Sequence, residues 1–260
     1  MLKNIETVQK YANWMAVTGV SERVQFSYGS FRQAGIELPD RRSLYFQVGR
    51  TIFLHHALDD SNVIGNILEQ GMEIVRLHDM RSMPFRDNHV TLVGYCAVAL
   101  CALEMVNSNG EAVLDLGSAD GILSLPALKR SARKAYCIDC ENYQSQLERH
   151  LQANGLPTSS MKFVKADLNR THILDLIPGG DIGIVVANLG PHYLDTDINA
   201  TRLIEGMPNV HHFVGGGYFN REGCKPDKVV KLLCRMGFKN PRYVAIDEHE
   251  PRTAFVVERK

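Results

Sequence analysis

From residue 112 to the end of the chain, short apolar runs alternate with segments that carry apolar residues at three- and four-residue spacing. Short runs rich in β-branched residues and bounded by turns predict buried strands, and the longer spacing predicts helices. Such alternation is typical of a mostly parallel sheet covered by helices on both faces. The predicted strands are 112–116, 134–139, 161–166, 181–187, 210–216, 242–247 and 253–258, and the predicted helices are 121–131, 141–154, 198–206 and 226–236.

The last two predicted strands are joined by only five residues, Glu248 to Arg252. A crossover between parallel strands needs roughly a dozen residues or more, so these two strands must run antiparallel. The pattern therefore predicts an α/β fold, a doubly wound, seven-stranded, mostly parallel sheet of Rossmann-like type.

The first 85 residues show a different pattern, without strand alternation. Apolar residues at helical spacing predict helices over Thr7–Met15, Leu44–Leu58 and Asn62–Leu77, and an almost wholly apolar helix follows over Val90–Met105. We therefore expect a helical N-terminal region over residues 1–85 and a cofactor-binding domain over residues 86–260. The helical region would cap a substrate, dock one, or form the interface of a homodimer.

Composition and charge exclude several classes of partner. The 260 residues include 29 Lys plus Arg and 29 Asp plus Glu, so the net charge is zero and no surface for nucleic acid is indicated. The six cysteines have no disulfide-framework spacing, and we find neither a signal segment nor an apolar run long enough to span a membrane. We expect a cytoplasmic protein. Cys137 and Cys140 form a single C-x-x-C pair, and no metal site is predicted, because structural zinc needs four ligands.

A glycine-containing turn follows the first predicted strand, in the segment Val113-Leu-Asp-Leu-Gly-Ser-Ala-Asp-Gly121. Gly117 lets the main chain approach a ligand without a Cβ, and a helix after such a turn directs its first N–H groups at that ligand. Asp120 is expected to cap this helix. Asp139 comes 22 residues after Gly117, at the end of the next strand, where a carboxylate in a doubly wound fold binds ribose hydroxyls. The expected ligand therefore contains adenosine.

The same turn distinguishes between adenosine cofactors. Dinucleotides are bound by three glycines in G-x-G-x-x-G, whereas the pattern here is Gly-Ser-Ala-Asp-Gly, without the middle glycine. A carboxylate at Asp120 would repel a pyrophosphate, and it suits the ammonium group of an amino-acid-bearing cofactor. The turn therefore disfavours a nicotinamide dehydrogenase, the alternative enzyme class.

This segment resembles motif I of the class I methyltransferases that use S-adenosylmethionine. Within that class, the chain is similar over about residues 85–260 to the PrmA-type ribosomal-protein lysine methyltransferases. The segments that carry this likeness are His89–Thr91, Gly121–Lys129, Lys134–Asp139 and Val185–Asn188.

The resemblance implies a cofactor and several site residues. S-adenosylmethionine is the implied cofactor, with Thr91 helping to cover it, Gly117 and Asp139 holding it, and Asn188 at the methyl-transfer point. Two departures concern the substrate. The family's glycine-threonine lead before the histidine is replaced by Phe85–Asn88, and the N-terminal region is predicted helical where the family has a mixed substrate-docking domain.

Further carboxylates complete the predicted cofactor site. Asp167 ends the third predicted strand, where class I enzymes often place an acid that accepts a hydrogen bond from the adenine amino group. Asp115 lies inside the first strand, would be costly to bury unpaired, and is predicted to support the amino-acid end of the cofactor. The predicted cofactor-binding residues are Thr91, Asp115, Gly117, Ser118, Asp120, Gly121, Asp139, Asp167 and Asn188.

The predicted catalytic residues follow the fourth strand, in Asn188-Leu-Gly-Pro-His-Tyr193. The methyl carbon of the cofactor is already activated. The protein therefore mainly has to position the nucleophile of the acceptor and remove its proton. Asn188 can accept a hydrogen bond from an amine or hydroxyl, and His192 or Tyr193 can act as the base or shape the pocket.

The sequence therefore predicts an S-adenosylmethionine-dependent methyltransferase that acts on nitrogen or oxygen of its acceptor. The predicted helical cap favours a small-molecule acceptor, whereas the family likeness favours a protein side chain. The alternative from another class is a catalytically silent partner subunit that only binds the adenosine cofactor.

Overall fold

The computed structural model describes residues 25–28, 31–37, 43–48, 50–55, 61–69, 71–78, 82–85, 88–168, 170–177, 179–188, 204, 206–217, 226–245 and 253–259. These residues contain 14 strands and five α-helices. The strands are β1 Gln25–Tyr28, β2 Phe31–Glu37, β3 Ser43–Val48, β4 Thr51–His55, β5 Glu73–Leu77, β6 Ser82–Phe85, β7 Asn88–Thr91, β8 Ala112–Leu116, β9 Lys134–Asp139, β10 Met161–Lys165, β11 Ile184–Ala187, β12 His212–Gly217, β13 Lys239–Ala245 and β14 Thr253–Glu258. The helices are α1 Ser61–Glu69, α2 Leu92–Leu103, α3 Ser124–Lys129, α4 Gln144–Ala153 and α5 Pro226–Arg235.

The central sheet contains eight of these strands, in the order β1-β13-β14-β12-β11-β8-β9-β10. β14 pairs antiparallel with both β12 and β13, and the remaining pairs of this sheet are parallel. The seven predicted strands are all present, with ends shifted by three residues at most, and the antiparallel ending is confirmed. β1, which the sequence did not predict, adds an eighth strand at the edge beside β13.

The central strands are buried on both faces. On β8, Val113 belongs to the core on one face and Leu114 to the core on the other, and Val186 and Val185 divide in the same way on β11. Residues of α2, α3 and α4 complete the first core, and residues of α5 complete the second. Strands buried on both faces need near-continuous apolar sequence, which is why the strand prediction succeeded here.

A second sheet, β2-β3-β4-β5, corrects the predicted helical N-terminal region. The helix predicted over Leu44–Leu58 is wrong, because this segment forms β3 and β4, paired antiparallel with Val48 opposite Thr51. Leu44, Val48 and Ile52 lie four residues apart, which imitates helical spacing, but only residues 49 and 50 separate the two strands. Such two-residue links favour glycine, and Gly49 was the overlooked signal.

The helix predicted over Asn62–Leu77 is correct only in its first half. α1 ends at Glu69, and Gly71 follows with a φ of 69°. The N–H of Gly71 donates to the carbonyl of Leu68 at 3.0 Å, and the N–H of Met72 donates to that of Ile67 at 3.3 Å, which is a Schellman termination. The chain then forms β5, which pairs parallel with β4. The predicted helix over Thr7–Met15 lies outside the described residues, and residues 204 and 206 alone are described within 198–206.

The N-terminal sheet packs directly on the helices α2, α3 and α4 that cover one face of the central sheet. Phe53 and Val75 belong to the same hydrophobic core as residues of α2, α3 and α4. At the edge, the side-chain amide of Asn154 accepts from the N–H of Arg76 at 2.8 Å and donates to the carbonyl of Arg76 at 2.6 Å. No helix in the described part of the chain combines the length and the apolar character that crossing a bilayer requires.

Candidate cofactor site

The order of the strands defines where a ligand binds. From β8 the chain proceeds outward through β9 and β10, then crosses back to place β11 and β12 on the other side of β8. Ligands of open α/β sheets bind at such a switch point, outside the carboxyl ends of the strands. The loops after β8 and β11, which carry Gly117 and Asn188, flank this point.

The loop after β8 is held in shape by main-chain hydrogen bonds. The N–H groups of Gly117 and Ser118 both donate to the carbonyl of Ile138, at 2.9 and 3.1 Å, and the N–H of Gly121 donates to the carbonyl of Ser118 at 2.9 Å. Gly117 and Gly121 have φ angles of 67° and 81°, which favour glycine. A Cβ at Gly121 would also clash with Cδ2 of Leu147 on α4.

Ala119 adopts a left-handed conformation in this loop, with a φ of 45°. This conformation costs an alanine about 1 kcal/mol or more. The N–H of Ala119 donates to Oδ2 of Asp139 at 2.9 Å, a hydrogen bond that compensates part of the cost. Ala119 occupies the position of the middle glycine in the dinucleotide pattern G-x-G-x-x-G. Because Ala119 adopts the left-handed conformation itself, the turn forms without that glycine.

Asp139, at the end of β9, links the loop after β8 to the loop after β9. Its Oδ2 accepts the N–H of Ala119, and its Oδ1 accepts the N–H of Glu141, also at 2.9 Å. Each carboxylate oxygen has two acceptor positions, so both oxygens retain capacity for a further donor. Binding of ribose hydroxyls by Asp139 remains a prediction that this arrangement permits.

Asp115 is completely buried inside β8. Its Oδ2 accepts a hydrogen bond from the hydroxyl of Ser124 at 2.7 Å. Among the described residues, no donor reaches its Oδ1. Burial raises the pKa of Asp115 from 3.8 to about 7, the Ser124 hydroxyl lowers it, and the negative charge of Asp139 raises it further.

The helix after the loop starts later than predicted, and Asp120 does not cap it. α3 begins at Ser124, its N-cap position is Leu123, and no side chain makes the cap hydrogen bond. The shift has a physical cause, because the positive φ of Gly121 interrupts any helix that would start at residue 121. Asp120 is 4 % exposed, and its main-chain carbonyl accepts from Nδ1 of His150 at 3.0 Å. Ser118 is likewise buried.

Asn188 follows β11 and is only 7 % exposed. Its amide nitrogen donates to Sγ of Cys96 on α2 at 3.5 Å. Its carbonyl oxygen lies above Gly216 of β12, where a Cβ would stand 2.5 Å from that oxygen. The side-chain amide is therefore held between a helix and a strand that the sequence analysis did not connect with it.

The remaining predicted residues are less closely defined. Asp167 lies just after β10 and pairs with Arg170, whose Nε is 3.3 Å from its Oδ2. Thr91 is the last residue of β7. His192 and Tyr193 lie outside the described residues, so their roles stay predictions.

Three residues outside the predicted set support this site. Ser124, Cys96 and Gly216 touch predicted residues across the fold, at sequence separations of 9 to 92 residues. Two of them had a sequence signal, since Ser124 lies in the segment Gly121–Lys129 that carries the family likeness and Gly216 lies in the run of three glycines 215–217.

The site fits the amino-acid end and the nucleoside of S-adenosylmethionine. A fully buried carboxylate oxygen without a donor among the described residues suits an ammonium group, and the glycine-containing loop after β8 lies at the switch point of the sheet. The chain is a class I methyltransferase that uses S-adenosylmethionine.

Comparison with known proteins agrees with this class. Residues 89–196 match the family model of ribosomal protein L11 methyltransferase (PrmA). A ribosomal protein L11 methylase from Lactobacillus delbrueckii subsp. bulgaricus has a similar structure, with 17 % identity and a TM-score of 0.59, covering 81 % of this chain and 95 % of its own. A candidate S-adenosylmethionine-dependent methyltransferase from Streptococcus mutans has 10 % identity and a TM-score of 0.52, covering 96 % and 79 %. No curated protein matches the chain.

Proposed function

We propose that this methyltransferase transfers a methyl group to an amine nitrogen of a protein substrate. The observation that carries the proposal is the match of residues 89–196 to the PrmA family model. This stretch begins in β7, contains the whole loop after β8, and continues past Asn188, so it includes the candidate cofactor site and the loop predicted to meet the acceptor.

The N-terminal fold supports a protein acceptor. A small-molecule acceptor was favoured by the predicted helical cap, but the described residues of this region form six strands, four of them in one sheet, and one helix. A mixed substrate-docking domain is what the resemblance to the PrmA type implies. The argument for a small molecule therefore loses its basis, and the argument from family likeness remains.

The chain's own residues would divide the work as follows. Asp115, Asp139 and the glycine-containing loop after β8 would hold the cofactor, which when bound supplies a methyl group activated on a sulfonium sulfur. Asn188, fixed by Cys96 and Gly216, would orient the acceptor nitrogen. An amide cannot take up a proton at neutral pH, so Asn188 does not act as the base. His192 and Tyr193 remain the predicted candidates for that step.

Methyl transfer from labelled S-adenosylmethionine tests this proposal. Extract of the source cells would be incubated with the protein, separated by size and counted, with purified ribosomal protein L11 as the first individual candidate. We expect label in a protein band, lost with Asn188→Ala. Label confined to small molecules would overturn the protein acceptor. Cofactor binding without any transfer would identify a silent partner subunit instead.

A further inference from the structure

Three buried polar side chains form a chain of hydrogen bonds beneath the cofactor loop. Ser124, the first residue of α3, is fully buried, as are Asp115 on β8 and Cys137 on β9. The Ser124 hydroxyl lies 2.7 Å from Oδ2 of Asp115 and 3.3 Å from Sγ of Cys137. The three residues come from three successive elements that surround the loop.

The direction of these hydrogen bonds follows from the chemistry of the groups. Burial raises the pKa of the Cys137 thiol well above its usual range, so the thiol keeps its proton. A serine hydroxyl has one proton, and the stronger acceptor for it is the carboxylate of Asp115. The Cys137 thiol therefore donates to the Ser124 oxygen, and Ser124 donates to Asp115.

We infer that Ser124 is a positioning residue that fixes the Asp115 carboxylate, so that Oδ1 faces the ammonium group of the cofactor. The inference rests on the proposed cofactor site. The Ser124 hydroxyl occupies one carboxylate oxygen, and Oδ1 is the oxygen that no described donor reaches. Because Ser124 begins the helix that the loop leads into, the loop conformation and the orientation of the carboxylate are set together.

Ser124 also affects the charge that Asp115 carries. Burial raises the pKa of Asp115 to about 7, and the hydroxyl and main-chain amide of Ser124 oppose that rise. Among the described residues, the other titratable groups that interact with this carboxylate are Asp139, whose charge raises its pKa, and the protonated thiol of Cys137. Without the hydroxyl, more of the protein carries a neutral Asp115 at neutral pH, and a neutral carboxyl group binds an ammonium group weakly.

Calorimetric titration with S-adenosylhomocysteine between pH 6 and pH 9 tests the inference without a methyl acceptor. For the wild type, we expect affinity to fall about tenfold from pH 8 to pH 6, as Asp115 takes up a proton. Ser124→Ala should bind about tenfold more weakly at pH 7.5, with the pH midpoint moved upward. Ser124→Thr, which keeps the hydroxyl, should restore affinity, and Cys137→Ala should stay within about twofold of the wild type.

A double-mutant cycle distinguishes positioning from a general structural effect. If Ser124 acts through Asp115, Ser124→Ala has no further effect on affinity in the Asp115→Asn background. Additive losses in this cycle would overturn the inference. Absence of binding by the wild type would instead overturn the proposed site itself. Thermal unfolding of each variant shows whether it is folded.

Discussion

Asp115 places a potential negative charge inside the central strand, at a cost to stability. Its pKa of about 7 in the folded protein exceeds 3.8, so between about pH 4 and pH 7 the folded state binds the proton more tightly than the unfolded chain. The free energy of unfolding must therefore fall as pH rises through this window. At pH 8 the expected destabilisation is on the order of 4 kcal/mol.

Asp115→Asn should therefore raise the thermal midpoint by several degrees at pH 8, while it weakens binding of S-adenosylhomocysteine. At pH 5, where Asp115 is largely protonated, the two proteins should unfold at similar temperatures. Thermal unfolding followed by circular dichroism at both pH values checks this. Equal thermal midpoints of the wild type and Asp115→Asn at pH 8 would show that the ionised Asp115 carboxylate does not destabilise the fold.

Ala119 tests the left-handed turn that replaces the middle glycine. Ala119→Gly should leave the free energy of unfolding unchanged or raise it by up to about 1 kcal/mol, because glycine adopts a φ of 45° without strain. Ala119→Val should lower it by about 2 kcal/mol, since a β-branched residue is a true outlier at positive φ. Urea unfolding of both variants measures the difference, and tolerance of valine would contradict the assigned turn.

At the scale of elements, the sequence predicted the central sheet because each of its strands is buried on both faces. β8, β9 and β11 need continuous apolar runs, and such runs are visible without knowledge of their neighbours. The N-terminal strands were missed because Leu44, Val48 and Ile52 imitate helical spacing. The contacts of Asn188 with Cys96 and Gly216 could not be predicted, since they join elements that only the sheet order brings together.

Gly216 on β12 tests that contact at the level of the element. Gly216→Ala would place a Cβ 2.5 Å from Oδ1 of Asn188 and 3.0 Å from Cβ of Ala99, so we expect lower stability and a displaced Asn188 amide. kcat for methyl transfer should fall more than affinity for S-adenosylhomocysteine. Gly65→Ala on α1 is the matched control, because a Cβ there meets nothing within 4 Å and should stabilise the helix by up to about 1 kcal/mol. If Gly216→Ala has the kcat of the wild type, the contact with Gly216 does not hold Asn188 in a position that matters for methyl transfer.

At the scale of the whole molecule, Arg130 joins the N-terminal sheet to the methyltransferase layer. Its guanidinium lies 2.7 Å from Glu73 on β5 and 3.3 Å from Glu104 after α2, and it donates to the hydroxyl of Thr51 on β4 at 2.8 Å. The arginine side chain is 13 % exposed, and the two glutamates are 17 % and 19 % exposed. One guanidinium therefore forms ion pairs with two largely buried carboxylates.

Arg130→Ala should lower the free energy of unfolding by about 3 kcal/mol, because it leaves both glutamates without their cation. Arg133→Ala is the control, since its pair with Asp181 is exposed and its loss should leave the free energy of unfolding almost unchanged. Urea unfolding should remain a single transition in the wild type, because Phe53 and Val75 share the core of the larger layer. Two separate transitions would show that the N-terminal sheet is an independent body.

Calorimetric titration of S-adenosylhomocysteine into the wild type and into Asp139→Arg at pH 8 is the most direct test of the cofactor site. The charge reversal abolishes the carboxylate that receives the N–H groups of Ala119 and Glu141 at the end of β9. The account predicts binding by the wild type and a loss of affinity of about a hundredfold or more in the variant. Absence of binding at millimolar ligand, or equal affinity in the two proteins, would contradict it.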